Sequence, residues 1–121
     1  MNTVLQQLTA ILTARKNAED VGASYVASLH AQGIDKILKK IGEECAETLL
    51  AAKDVQYAGA QDVSPALCDT RKQALVYETA DLWFHTLVML SHYNLSADNV
   101  LQELARRLDL SGLTEKSSRT N

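Results

Sequence analysis

Leu75-Val76-Tyr77-Glu78-Thr79-Ala80-Asp81-Leu82-Trp83-Phe84-His85-Thr86-Leu87-Val88-Met89-Leu90 is the stretch that decides the fold. At about 100° per residue its apolar side chains surround a helix axis, and a helix apolar all round is a buried one. A carboxylate on such a helix must be paired, neutralised or bound to metal. Glu78 and Asp81 stand three residues apart, about 60° around the axis, so both reach one point. The bland alternative is a salt bridge to Arg or Lys from elsewhere in the chain.

Working backwards, Ile34, Ile37, Leu38, Ile41, Cys45, Leu49 and Ala52 fall within an arc of about 120° and predict a helix over residues 34–53. This helix carries Glu43, Glu44 and Glu47. Taking Ile34 as zero, Glu44 lies near about 280°, Glu47 near about 220° and Glu43 near about 180°. On its own that triplet reads as a solvated face. Beside Glu78 and Asp81 it reads as the other half of a divalent-cation site, with Glu44, Glu47, Glu78 and Asp81 as ligands. Hard oxygens without nitrogen or sulfur suit Mg²⁺ or Mn²⁺ rather than zinc or copper. The di-iron alternative wants Glu-x-x-His on two helices, which these motifs do not supply.

Lys36, Lys39 and Lys40 occupy the first two turns of the same helix, where cations oppose the helix dipole. They also precede Glu43 and Glu44, the weaker order for helical ion pairs. Local helix energetics therefore does not account for them, whereas a phosphate-bearing ligand does. A solvated basic patch is the competing account. His85 lies one turn after Asp81 on the same stripe, either supporting the site or as a satisfied core histidine. Trp83 and Phe84 read as core or subunit contact.

The rest of the chain bounds the class. It has 121 residues, 46% apolar and 22% charged, with one proline and five glycines, which favours one ordered, helix-rich domain over residues 1–121. The formal charge of −3 argues against a nucleic-acid binder. Cys45 and Cys68 lack zinc-site or disulfide spacing. Met1 leads into neither a basic segment nor a long apolar run, so the expectation is a cytoplasmic protein with no membrane contact. A first helix is predicted over residues 3–18 and a polar connector over 20–33 ending at Gly33. A long loop is expected over 54–70, with room for one turn at Pro65-Ala66-Leu67, and the buried helix over 71–94. A last helix follows, capped by Ser96, with Val100, Leu101, Leu104 and Leu108 as its apolar stripe. The tail 111–121 has no helical pattern. The expected fold is all-α with four main helices, and a wholly apolar helix in so small a chain wants a partner surface.

These residues carry a resemblance. Lys36-Ile37-Leu38-Lys39-Lys40-Ile41-Gly42-Glu43-Glu44-Cys45-Ala46-Glu47, then Tyr77-Glu78-Thr79-Ala80-Asp81-Leu82-Trp83-Phe84-His85, then Ser111-Gly112-Leu113-Thr114-Glu115-Lys116-Ser117-Ser118-Arg119 resemble the phosphoribosyl-ATP pyrophosphatase family of histidine biosynthesis. Ser24-Tyr25-Val26-Ala27-Ser28-Leu29 is similar to that family's early segment. The two acidic motifs alone indicate only the wider all-α, MazG-like nucleoside triphosphate pyrophosphohydrolases. The resemblance implies a MazG-like helical bundle assembled as a homodimer or higher homo-oligomer. It also implies Mg²⁺-dependent hydrolysis of 1-(5-phosphoribosyl)-ATP to 1-(5-phosphoribosyl)-AMP and pyrophosphate. The metal would sit on Glu44, Glu47, Glu78 and Asp81, with Glu43 or one of these ligands orienting water and Lys36, Lys39, Lys40, Lys116 and Arg119 on the substrate. Two other readings stay open: a housekeeping pyrophosphohydrolase for noncanonical nucleoside triphosphates, and a helical dimerisation module with a merely salt-bridged acidic cluster.

Overall fold

The computed structural model describes residues 3–18, 22, 24–61 and 64–109. Five helices follow one another: α1 Thr3–Lys16, α2 Tyr25–Gln32, α3 Ile34–Ala60, α4 Pro65–His92 and α5 Ala97–Leu108. The described residues contain no strand. The all-α reading holds, but the helix count is five rather than four.

The additional helix lies where a connector was expected. Ser24 accepts the Ala27 N–H at 3.1 Å and starts α2 as its N-cap. Val26 and Leu29, three apart, bury one face. Gly33 ends the helix by donating its N–H to Leu29 O at 3.1 Å and His30 O at 3.2 Å. Its φ of +96° and ψ of 174° lie in a region essentially restricted to glycine. Gly33 is also the N-cap of α3, so the two helices meet at one residue.

The expected 54–70 loop is not there. Helix α3 runs on to Ala60 and α4 begins at Pro65, so only residues 61–64 separate the two helices. Ser64 accepts the Leu67 N–H at 3.3 Å. Pro65 takes a first-turn position, where no backbone N–H is needed. Ser-Pro here starts a helix rather than marking a loop. The result is a long hairpin of α3 and α4, the most extensive helix–helix contact in the fold.

The core is Leu12, Val26, Leu29, Ile37 and Val88, with Leu8, Ile34, Ile41, Phe84, Leu87 and Met89 packed around it. Helix α4 packs mainly on α3 and less on α1, and α2 packs on α1 and α3. The expectation that α4 is buried all round therefore fails within one chain: Val76, Tyr77 and Trp83 are 59%, 65% and 61% exposed. Leu49, Leu50 and Tyr57 of α3 are also exposed. The α5 stripe is open too, and Val100, Leu101 and Leu104 line a groove of about 340 Å³ with Leu5, Trp83, Leu87 and Leu90. No described helix is long and apolar enough to cross a membrane.

Candidate active site

The α3–α4 hairpin brings the two acidic motifs together. Carboxylate oxygens of Glu44, Glu47 and Glu78 lie within 4.8 Å of one another. Glu44 is 5% exposed. The Oε2 atoms of Glu44 and Glu78 are both buried without a hydrogen-bond partner, an arrangement that is costly unless a cation or proton completes it. Burial pushes the Glu44 carboxyl above its ordinary range, with further upward pushes from the charges of Glu47 and Asp81 and a hydrogen bond with Glu47, against a smaller downward pull from His85. Glu78 is raised first by burial, then by its hydrogen bond with Glu47 and the charges of Glu47, Glu44 and Asp81. Glu47 is the exposed member of the three. Asp81 bears on both through its charge but lies outside the tight group.

The salt-bridge alternative finds no partner here. Among the described residues no lysine or arginine forms an ion pair with Glu47, Glu78 or Asp81. The nearby cation is Lys40, 3.2 Å from Glu43 Oε2 and 3.8 Å from Glu44 Oε1. Glu43 itself is turned to the lysines. Its hydrogen bond from Lys40 holds its carboxyl below the ordinary range, helped by the charges of Lys40, Lys39 and Lys36. Lys40 therefore joins Glu43 to the edge of the carboxylate group at Glu44, while Lys39 and Lys36 act on Glu43 through their charge. Lys116 and Arg119 lie outside the described residues.

Two features of the site were not read from sequence. Thr48 Oγ1 donates to Glu44 O at 2.7 Å and lies 3.3 Å from Glu78 O, linking the two helices beside their acidic residues. Tyr25 of α2 places its hydroxyl 2.9 Å from His85 Nε2. His85 Nδ1 is 2.8 Å from Asp81 O. A carbonyl oxygen only accepts, so Nδ1 carries the hydrogen and Nε2 of the neutral ring accepts from Tyr25. Burial pushes the Tyr25 phenol up; Lys40 opposes this, while Glu44, Asp81 and Glu43 add to it. These neighbours set the hydroxyl at the edge of the acidic group. The signal that marks Tyr25 is its place just after the N-cap Ser24, on a helix the connector reading overlooked.

All three clustered side chains offer hard oxygen, and two of their oxygens lack partners, so the residues present fit a hard divalent cation.

Residues 5–108 match the phosphoribosyl-ATP pyrophosphohydrolase family. The chain is 50% identical over 119 residues to the phosphoribosyl-ATP pyrophosphatase of Hydrogenovibrio crunogenus, covering 98% of this chain and 95% of that one. Proteins of the same name from Ralstonia pickettii and Ralstonia nicotianae are each 50% identical over 121 residues, covering 98% of this chain and 92% of theirs. The chain belongs to the phosphoribosyl-ATP pyrophosphohydrolase family. In this pyrophosphohydrolase the matched span runs from α1 to the end of α5 and includes both acidic motifs, the lysine trio and Tyr25.

Proposed function

We propose that the chain hydrolyses 1-(5-phosphoribosyl)-ATP to 1-(5-phosphoribosyl)-AMP and pyrophosphate in histidine biosynthesis, with Mg²⁺ or Mn²⁺ held by Glu44, Glu47, Glu78 and Asp81. The observation that carries the metal is the pair of buried, unpartnered oxygens on Glu44 and Glu78 within a group of three carboxylates. A hard divalent ion supplies Lewis acidity toward triphosphate oxygens. Attack by water at the α phosphorus breaks the α–β anhydride and sends off pyrophosphate with its negative charge. Lys40, Lys39 and Lys36 border that position and offset the departing charge. Lys40 is free to do so because its pair with Glu43, whose side chain is 44% exposed, is a weak surface contact. Once Lys40 turns to phosphate, Glu43 is left to accept a hydrogen bond from the attacking water. Lys116 and Arg119 contribute further cations to the substrate.

The apolar side chains left open on α3 and α4 are the surface of a homodimer in this reading. Burying side chains such as Leu50, Val76 and Trp83 contributes about 1.5–3 kcal/mol each. Incubation with phosphoribosyl-ATP against deoxynucleoside triphosphates tests the substrate. Pyrophosphate release confined to the former supports the proposal, and release only from the latter makes the chain a housekeeping enzyme instead. Calorimetry with Mn²⁺ tests the metal, since a purely structural acidic cluster binds no stoichiometric ion.

A further inference from the structure

We infer that Tyr25 keeps the metal site all-oxygen, because its hydroxyl occupies the one lone pair through which His85 can bind a metal. The inference rests on the metal-site reading above and adds to it a determinant of which metal is taken.

His85 is a ligand in waiting. It is buried, one turn beyond Asp81 and on the stripe that carries Glu78. Asp81 and His85 lie one turn apart on the same helix face, yet the clustered carboxylates Glu44, Glu47 and Glu78 do not include His85. A nitrogen donor moves a site toward zinc and copper, since affinity rises along the divalent series toward copper and imidazole suits those ions. An all-oxygen site leaves Mg²⁺ and Mn²⁺ as the matched ions.

The ring has two nitrogens and both are committed. Nδ1 donates to Asp81 O at 2.8 Å, so it has no lone pair to offer. Nε2 holds the remaining lone pair and takes the Tyr25 hydroxyl proton at 2.9 Å. A metal needs that lone pair bare. The tyrosine is held in place by more than this bond. Its ring stacks on Phe84 at 6.4 Å with 20° between planes, and the next residue, Val26, is in the core. Tyr25 is thus a positioning residue acting through His85.

The test uses the full chain and the Tyr25→Phe variant, which keeps the ring and its stacking and removes only the O–H. Dissociation constants for Mn²⁺ and Zn²⁺ are measured by calorimetry, and Cu²⁺ is used as a paramagnetic probe for nitrogen coupling. The expected result is a shift in preference toward Zn²⁺ of about tenfold or more in Tyr25→Phe. Nitrogen coupling should appear in the copper spectrum of that variant and vanish in Tyr25→Phe/His85→Gln. An unchanged Zn²⁺ to Mn²⁺ preference in a folded Tyr25→Phe overturns the inference. Should that variant not fold, the unaltered protein decides: nitrogen coupling that His85→Gln removes overturns the inference, and a spectrum indifferent to His85→Gln supports it. An unaltered protein that binds no Mn²⁺ overturns the metal-site reading and this inference together. Mn²⁺ binding with unchanged preference in the variant overturns this inference alone.

Discussion

Glu44 of α3 and Glu78 of α4 face each other across the hairpin with carboxylate oxygens within 4.8 Å, each keeping one buried oxygen without a partner. Like charges this close in a partly desolvated place oppose folding unless a cation or proton joins them. The metal-free chain therefore stores repulsion, and bound Mn²⁺ is expected to relieve it.

Mn²⁺ at a hundred times its dissociation constant should stabilise the fold by about 2.7 kcal/mol through binding to the native state alone. Glu78→Gln should abolish this response while leaving the metal-free protein as stable as before or more so. Thermal melts with and without Mn²⁺ check both points, and a melting temperature indifferent to millimolar Mn²⁺ speaks against the site.

Asp81→Asn separates catalysis from folding. Asp81 has no ion-pair partner among the described residues, so no cation is stranded by the change. Metal-free stability should hold or rise while pyrophosphate release falls by orders of magnitude. Had a buried cation been its partner, the loss would be about 3–5 kcal/mol. A destabilised yet active variant would contradict the reading.

Lys40→Ala should lower turnover by roughly 10²-fold, the scale for removing a group that stabilises developing charge. Its pair with Glu43 is an exposed surface contact, so stability should change little. Lys39→Ala, which touches no carboxylate at ion-pair distance, should have the smaller kinetic effect. Unaltered steady-state kinetics in both variants would leave the lysines as a solvated patch.

His30 predicts a pH dependence. Its ring is parallel to that of His92, 6.2 Å away with 5° between planes, and both its nitrogens are buried without partners. Burial holds the His30 imidazole below its ordinary value of 6.5, and the charges of Lys16 and His92 push the same way. The unfolded chain binds more protons than the native one between the two values. The stability is therefore fully present above 6.5 and lost as pH falls through the lower, folded value. His30→Gln should flatten this part of the profile in denaturant titrations between pH 7 and 5, and an unchanged slope would remove His30 as its source.

Trp83→Glu and Leu50→Glu should each shift sedimentation toward a single chain, because both residues are solvent-facing in one protomer, at 61% and 65% exposure. The same monomeric mass for the unaltered protein would remove the dimer.

The acidic motifs were legible because helical spacing is local: Glu44, Glu47 and Glu78 need only the right faces of two helices and an antiparallel turn. Asp81 was legible as a neighbour, but its place outside the tight group depends on how α4 is rotated against α3. Tyr25 was hidden for a different reason. Its helix is eight residues long, too short for periodicity to stand out, and its meaning depends on docking against His85, sixty positions away in sequence. Gly59 and Pro65, which lie within the 54–70 stretch expected to be a loop, work in the other direction. A glycine is tolerated near a helix end, and a proline is at home in a first turn, so residues that usually interrupt helices here sit inside them.

Gly33 gives the chain a lopsided tolerance of length change. It serves as the end of α2 and the start of α3, so Tyr25 and Glu44 are joined without a spare residue between their helices. One inserted amino acid there would turn α2 by a fraction of a helical step and carry the phenol away from His85. Residues 61–64 separate α3 from α4 at the end of the hairpin away from Gly33, and Gln61 and Ser64 are exposed. Extra residues between them add little loop-closure cost and leave the carboxylates in register. Grafts, tags and permuted termini therefore belong at the hairpin tip, and the joint at Gly33 is where the protein has no slack.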